Sequence, residues 1–455
     1  MRFDVAVIGA GIIGSLIAFE LAQCDLKVAL IEAGSDVACG ATRANSGIVH
    51  AGFASKPGSL MATLCLQGNA DFERLALILD FPFRRIGSLV LSKEKEEGEK
   101  LLFLKKRGEA NGVEGLEIWD EERLRLFEPN IEACQALFAP SAGIVSPYEM
   151  CFQAVLWARK NGASLFLNSP LREARFEKNG FRLLAGQKEM FASFLVNAAG
   201  LFADEVASVA GDDYSIRARK GEYLLLDRSE GDRVSHVLFP LPGETSKGIL
   251  ITPTTAGNLL LGPTAVSASK HDKATTEEGL GEVFEKTRAT LPSIEKSKVI
   301  ASYAGLRAVG GEDFEIAFSK NFPHWINLIG IQSPGLTAAP AIAKKVVEML
   351  KKDGLPCSPR DILYPLKREV RQDRVICRCE EVGKIEILAA LQDGATTLDG
   401  VKLRTRATMG RCQGGTCRAA IATILSEELG IPLEEVRKNG MGSEILVGPV
   451  TKKLS

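Results

Sequence analysis

Charge of one sign is what this chain most clearly lacks. Its 455 residues carry 56 Lys and Arg against 57 Asp and Glu, a formal net charge of −1. Nucleic-acid binders draw affinity from an excess of basic residues, so that class is excluded. Long hydrophobic runs are missing too. The longest, from Val5 to Phe19, is interrupted by glycines and is shorter than the roughly 20 apolar residues a spanning helix needs, so no transmembrane segment is expected. The start, Met1-Arg2-Phe3-Asp4, leads straight into Val5-Ala6-Val7-Ile8-Gly9 without the basic and leucine-rich stretches of a secretory leader. The expectation is a cytoplasmic protein, with peripheral attachment to the inner face of a membrane through a complex as the variant. Ten cysteines are too few for a disulfide scaffold in a chain this long. Six are scattered (Cys24, Cys39, Cys65, Cys134, Cys151 and Cys357) and read as small buried hydrophobes or free thiols. Asn and Gln are scarce while Lys and Glu are plentiful, a pointer to a heat-adapted source.

What is present divides into segments, and the length suggests about three domain-sized units. A buried run at 4–8, a glycine turn, helical spacing over 15–23 and a second run over 27–31 make a strand–turn–helix–strand unit. Residues 59–80 read as one long helix, and 93–107 and 120–125 as exposed helices. From 217 to 264 short apolar runs alternate with Gly and Pro, as in an antiparallel sheet walling a substrate cavity. A buried strand over 325–330 and a helix over 338–352 follow, then a linker at 357–374, a cysteine-rich module at 375–430 and a tail at 431–455.

The turn Gly9-Ala10-Gly11-Ile12-Ile13-Gly14 lies between a strand and a helix, and Glu32 ends the next strand. That context makes GxGxxG a dinucleotide fingerprint. Gly9 permits the turn, Gly11 lets the backbone approach a pyrophosphate, and Gly14 lets helix and strand pack. The helix start offers N–H groups to phosphates, Glu32 accepts from a ribose, and Ile13 of the turn is counted with the cofactor-binding residues. The motif alone leaves FAD and NAD open.

Further motifs follow in order: Ala44-Asn45-Ser46-Gly47-Ile48-Val49-His50-Ala51-Gly52, Gly143-Ile144-Val145-Ser146-Pro147, Val196-Asn197-Ala198-Ala199-Gly200, Arg219-Lys220-Gly221-Glu222-Tyr223, Ala304-Gly305-Leu306-Arg307 and Gly330-Ile331-Gln332-Ser333-Pro334-Gly335-Leu336-Thr337. Through them residues 1 to about 355 resemble flavoproteins of the D-amino-acid oxidase type, in the glycerol-3-phosphate dehydrogenase and L-2-hydroxyglutarate dehydrogenase branch. The resemblance implies an α/β Rossmann-type FAD domain (about 1–80, 145–212 and 325–356), an antiparallel-sheet substrate domain of α+β type (about 81–144 and 213–324) and noncovalent FAD. It places Thr42, Arg43, Asn45, Ser46 and Gly47 along the flavin or its phosphates, with Leu171 against the adenine and Gly200 among the cofactor-binding residues. Gly335, Leu336 and Thr337 open a helix whose N–H groups face the flavin, where a helix start also favours developing negative charge.

Arg307 is the first substrate candidate, since a planar guanidinium suits carboxylate or phosphate. The resemblance puts it over the flavin, although Ala308 stands where relatives carry proline. Of four histidines, His50 falls in the flavin-lining segment, where an imidazole takes a hydroxyl proton as hydride leaves carbon. Covalent attachment of FAD is its other role among relatives, and a purely structural role is the plain alternative. Lys220 is a lesser candidate for the same cavity.

Cys377-Arg378-Cys379 and Cys412-Gln413-Gly414-Gly415-Thr416-Cys417 supply four thiolates, enough for zinc or a [2Fe–2S] cluster. C-x-C with C-x₄-C is atypical of zinc. The surrounding residues resemble the bacterioferritin-associated-ferredoxin-like domain, which implies [2Fe–2S] on these four cysteines. Arg418 departs from the apolar residue or proline usual there.

A flavin accepts an electron pair and a [2Fe–2S] centre carries single electrons, so the combination points to a dehydrogenase feeding a carrier rather than oxygen. The expected reaction is oxidation of a small anionic 2-hydroxy compound, glycerol 3-phosphate first, with electrons leaving through the cluster to another redox subunit, a second flavoprotein or carrier. The alternatives are L-2-hydroxyglutarate or an amino acid such as proline or sarcosine as substrate, a noncatalytic electron-transfer subunit, and a zinc-bearing regulator.

Overall fold

The computed structural model describes residues 1–242, 248–361, 363–365, 373–446 and 448. Parts of the expected linker (362 and 366–372) and tail (447 and 449–455) lie outside the described residues. The chain forms two compact units: residues 1–33 with 37–366, and residues 34–36 with 367–455.

The first unit opens on strand β1 (Arg2–Ile8), whose Val5, Ala6 and Val7 are fully buried. Helix α1 (Ile12–Leu21) follows, earlier than the expected 15–23. It is apolar on nearly every side, as a helix enclosed by protein must be. Strand β2 (Val28–Ile31) pairs parallel with β1. Farther along the chain, β3 (Ser164–Phe166) pairs parallel with β2, β4 (Lys188–Asn197) parallel with the other edge of β1, and β7 (Trp325–Ile329) parallel with β4. This five-strand parallel core, extended by antiparallel strands Leu171–Glu177, Gly180–Ala185 and Glu315–Phe318, brings the carboxyl ends of β1, β2 and β4 to one edge. Ligands bind at such an edge in open parallel sheets.

The second, nine-stranded sheet contains β5 (Arg217–Leu226) and β6 (Val299–Val309), which pair along their whole length. Its strands are antiparallel except where Val237–Pro240 runs parallel to Ser88–Ser92. Alternate residues of the sheet build one core with Leu224, Leu226, Leu259 and Val283, and another with Ile48, Val90, Leu137 and Phe239.

The expected helix at 59–80 is two helices, α2 (Leu60–Asn69) and Phe72–Leu79, divided at Asp71, a residue type that favours helix starts. Helix α3 (Gly335–Lys352) begins three residues before the expected position and packs on α1 and α2. Cys24 and Cys357 correct the reading of isolated thiols, since they form a disulfide. The chain after α3 returns to the turn after α1, where Asp25 N–H donates to Ser358 O and Arg360 N–H to Gln23 O. Sequence spacing cannot report a pairing across 333 residues.

In the second unit a short hairpin (Val375–Cys377 with Val382–Gly383) and helices Lys384–Gln392, Leu398–Thr405 and Arg418–Leu429 close on a core of Ile387, Val401, Ile421 and Leu425. Among the described residues no helix is long and apolar enough to cross a membrane.

Candidate active site and metal centre

The glycine turn leaves β1 and enters α1. A Cβ on Gly14 would lie 1.9 Å from the Gly9 carbonyl oxygen, so only glycine lets the helix sit this close. Side chains from distant segments finish the turn. Glu32 Oε2 accepts from Ala10 N–H at 2.8 Å, and Thr42 Oγ1 accepts from Ile12 N–H at 2.9 Å. Ser169 N–H donates to Glu32 O at 2.8 Å, which carries Leu171 to the same edge. Gly200 follows the end of β4, where Ala198 N–H donates to Ile8 O. Ile13 lies half-buried on α1. The helix start between strand ends, with Glu32 and Thr42 beside it, fits the dinucleotide half of FAD.

The flavin-lining segment folds on itself. Asn45 Nδ2 donates to the carbonyls of Ala41 and Thr42, and its Oδ1 accepts from Gly47 N–H at 2.7 Å. Arg43 ends a short 3₁₀ turn at 41–43. The segment then docks on the second sheet. Ser46 Oγ lies 3.4 Å from the Tyr223 hydroxyl, and the Tyr303 hydroxyl donates to Asn45 O at 3.3 Å. A Cβ on Gly305 would stand 1.9 Å from Ala44 O, so this close approach of backbones also requires glycine.

His50 is held from three sides. Its N–H donates to Thr337 Oγ1 at 2.9 Å, its carbonyl accepts from Asn69 Nδ2 at 2.9 Å, and its Nε2 is 3.4 Å from Ser333 Oγ. Thr337 is fully buried in the first turn of α3, whose start also contains Gly335 and Leu336. The Gly335 N–H is used within the turn by Gln332 O. Arg307, on β6, is held below the usual arginine range by burial, with Tyr223 opposing and the Arg219 charge adding to the effect. Asn69, Ser333, Tyr223 and Tyr303 are the residues sequence reasoning did not assign. Ser333 lies in a recognised motif, whereas Asn69 inside a helix gives no signal until the fold brings it to His50.

Lys220 does not enter this cavity. Its Nζ bonds Asp272 Oδ2 at 2.9 Å and Ala274 O at 3.0 Å, with Glu222 at 3.4 Å, because alternate residues of β5 face opposite ways. His236 and His324 are likewise committed, to Glu128 at 2.7 Å and Asp353 at 2.8 Å.

In the second unit the cysteines stand as two pairs. Cys379 Sγ and Cys412 Sγ are 3.7 Å apart, and Cys417 is pushed up to about 11 by burial and by the Cys377 thiol bonded beside it. Two thiolates on one tetrahedral ion at about 2.3 Å stand about 3.8 Å apart, so the first pair has the separation one metal imposes. N–H groups of Thr416 and Gly414 bring Cys412 down to about 7, with the Cys379 thiol assisting. Among the described residues no three potential ligands close on a single point. Two pairs suit a binuclear cluster better than a mononuclear ion.

Comparison with known families matches residues 4–349 to the FAD dependent oxidoreductase family. The chain belongs to that family. This FAD dependent oxidoreductase carries a second match, residues 375–427, to the BFD-like [2Fe-2S] binding domain, and its cofactors are FAD and a [2Fe–2S] cluster. It is 38% identical to a glycerol 3-phosphate dehydrogenase of Caloramator mitchellensis over 99% of this chain and 100% of that one. An L-2-hydroxyglutarate dehydrogenase of Escherichia coli O17:K52:H18 is 32% identical over 59% of this chain and 65% of its own. The structure of dithionite-reduced L-alpha-glycerophosphate oxidase from Mycoplasma pneumoniae with FAD bound aligns at a TM-score of 0.75 and 26% identity, covering 80% of this chain and 97% of that one.

Proposed function

We propose that this enzyme oxidises glycerol 3-phosphate to dihydroxyacetone phosphate and delivers the electrons through the cysteine-held cluster to a partner redox protein. The observation carrying this reading is the span of the relatives. A relative that matches along both units is a glycerol 3-phosphate dehydrogenase. The oxidase structure is almost wholly used in aligning with 80% of this chain, leaving little of it to match a cysteine unit. The span of that dehydrogenase takes in residues 375–427, where this chain carries its BFD-like [2Fe-2S] match, and a one-electron outlet from the flavin requires such a centre.

The turn at Gly9–Gly14 with Glu32 and Thr42 holds the nucleotide half of FAD, and the Thr42–Gly47 segment with the start of α3 holds the flavin. Bound flavin supplies a hydride acceptor. Arg307 binds the substrate's anionic group and fixes its orientation. His50 Nε2 takes the hydroxyl proton as the carbon–hydrogen bond gives up its electron pair. The substrate hydroxyl displaces Ser333 Oγ from Nε2 before that transfer, while Thr337 and Asn69 fix the His50 backbone. Cys377, Cys379, Cys412 and Cys417 hold the cluster.

Anaerobic mixing of the purified holoenzyme with glycerol 3-phosphate is expected to bleach the flavin absorbance within seconds. Bleaching by L-2-hydroxyglutarate, proline or sarcosine instead would reassign the substrate. Bleaching by none of them would make the chain an electron-transfer subunit.

A further inference from the structure

Strands β5 and β6 set three cross-strand pairs in a column: Tyr223 opposite Tyr303, Gly221 opposite Gly305, and Arg219 opposite Arg307. Residues directly opposite in an antiparallel pair share a face, and every second residue returns to it. The upper two pairs identify that face. The Tyr223 and Tyr303 rings stack at 4.9 Å, their hydroxyls meet Ser46 and Asn45, and Gly305 lies against Ala44 O. The column therefore looks onto the flavin-lining segment, while Lys220 and Glu222 look away from it toward Asp272 and Thr276. Arg219 and Arg307 thus lie side by side on the substrate face.

Two guanidinium groups directly opposite one another repel. The Arg219 charge acts on Arg307 in that sense. An anion bridging both reverses the sign of the interaction. A carboxylate fills one guanidinium fork with its two oxygens and single charge. A phosphate monoester has a third oxygen and a second charge left for another fork.

We propose that Arg219 is the second arm of the substrate's anion site, and that the Arg219–Arg307 pair selects a phosphate dianion over singly charged groups. This deepens the reading of the substrate as a phosphate ester and rests on it.

The test uses the holoenzyme and two ligands of similar shape, methyl phosphate as a dianion and methyl sulfate as a monoanion, titrated against the flavin absorbance spectrum. Wild-type protein is expected to prefer methyl phosphate by at least about tenfold, a preference that Arg219→Gln reduces to about twofold while methyl sulfate affinity and FAD content hold. Arg219→Lys, which keeps the charge, is expected to retain most of the preference. For glycerol 3-phosphate, Arg219→Gln is expected to raise KM about tenfold or more with kcat within about threefold, the pattern of lost uniform binding. Equal affinity for the two ligands in wild type overturns the inference without any variant, and so does an unchanged preference in Arg219→Gln. If wild-type flavin is not reduced by glycerol 3-phosphate yet the dianion preference and its loss are found, the proposed substrate fails and the anion pair stands. If reduction occurs and Arg219→Gln changes neither KM nor preference, the pair alone fails.

Discussion

The proposed flavin edge of the first unit is built largely from backbone, whereas the proposed cluster site of the cysteine unit is built from side chains. At the proposed flavin edge strand ends, a glycine turn and helix starts form the wall, and Glu32, Thr42 and Gln332 O occupy the N–H groups of Ala10, Ile12 and Gly335. In the cysteine unit the four thiols are the proposed ligands, and backbone N–H groups of Thr416 and Gly414 act on one of them, Cys412. A backbone site tolerates many side-chain changes but fails when two chain segments are forced apart. A side-chain site fails one ligand at a time.

Gly14→Val is the strongest way to break that contrast, because its Cβ would meet the Gly9 carbonyl at 1.9 Å. The purified variant is expected to hold less than about a tenth of the normal FAD while iron and sulfide content stays near wild type, read by flavin absorbance and elemental assay. Loss of both cofactors would deny that the two regions are separately built. His50→Asn sharpens the contrast from the other direction, since here the flavin region depends on a side chain. We expect kcat/KM to fall about 10²–10⁴-fold with FAD content unchanged, measured with an artificial acceptor.

Cysteine itself plays different parts in the two regions, staple in one and proposed ligand in the other. Cys24→Ser is expected to lower the stability of the flavin unit by about 2–4 kcal/mol in denaturant unfolding, with the visible spectrum of the cluster unchanged. Asp71 gives the smallest effect. Burial opposes its ionisation, but Arg74 and Lys344 outweigh this and hold the carboxyl below its ordinary value. A depressed carboxyl contributes stability above its unfolded value, so the contribution begins to fade near about pH 4 and is gone once pH has fallen through the lowered native value. Asp71→Asn is expected to remove at most about 1 kcal/mol at neutral pH and to flatten the acid limb of the thermal unfolding curve.

Much of the parallel sheet was legible because its signals are local. A buried run, GxGxxG and a second run ending at Glu32 lie within 32 residues, and β1, α1 and β2 follow that order. The two cysteine motifs are local signals as well, but the pairs seen in the fold, Cys379 with Cys412 and Cys377 with Cys417, cross from one motif to the other. What escaped depends on long-range return of the chain. Cys357 meets Cys24 only because the segment after α3 packs on the turn after α1. Asn69 reaches His50 only because α2 ends beside it, and the opposition of Arg219 and Arg307 exists only in the register of two strands some 80 residues apart in sequence. Lys220 was misread for want of one datum, which face of β5 looks inward. Among the site residues, the helix-start expectation at Gly335 was refined, since its N–H closes the preceding turn.

The central claim is that substrate electrons taken at the flavin edge leave through the cysteine unit. Electron paramagnetic resonance of the holoenzyme, frozen at intervals after anaerobic addition of glycerol 3-phosphate, tests it most directly. The account predicts a reduced [2Fe–2S] signal that rises after the flavin bleaches and is absent in Cys412→Ser, whose flavin still bleaches. A fully bleached flavin with a cluster that stays oxidised in the wild-type protein would contradict it.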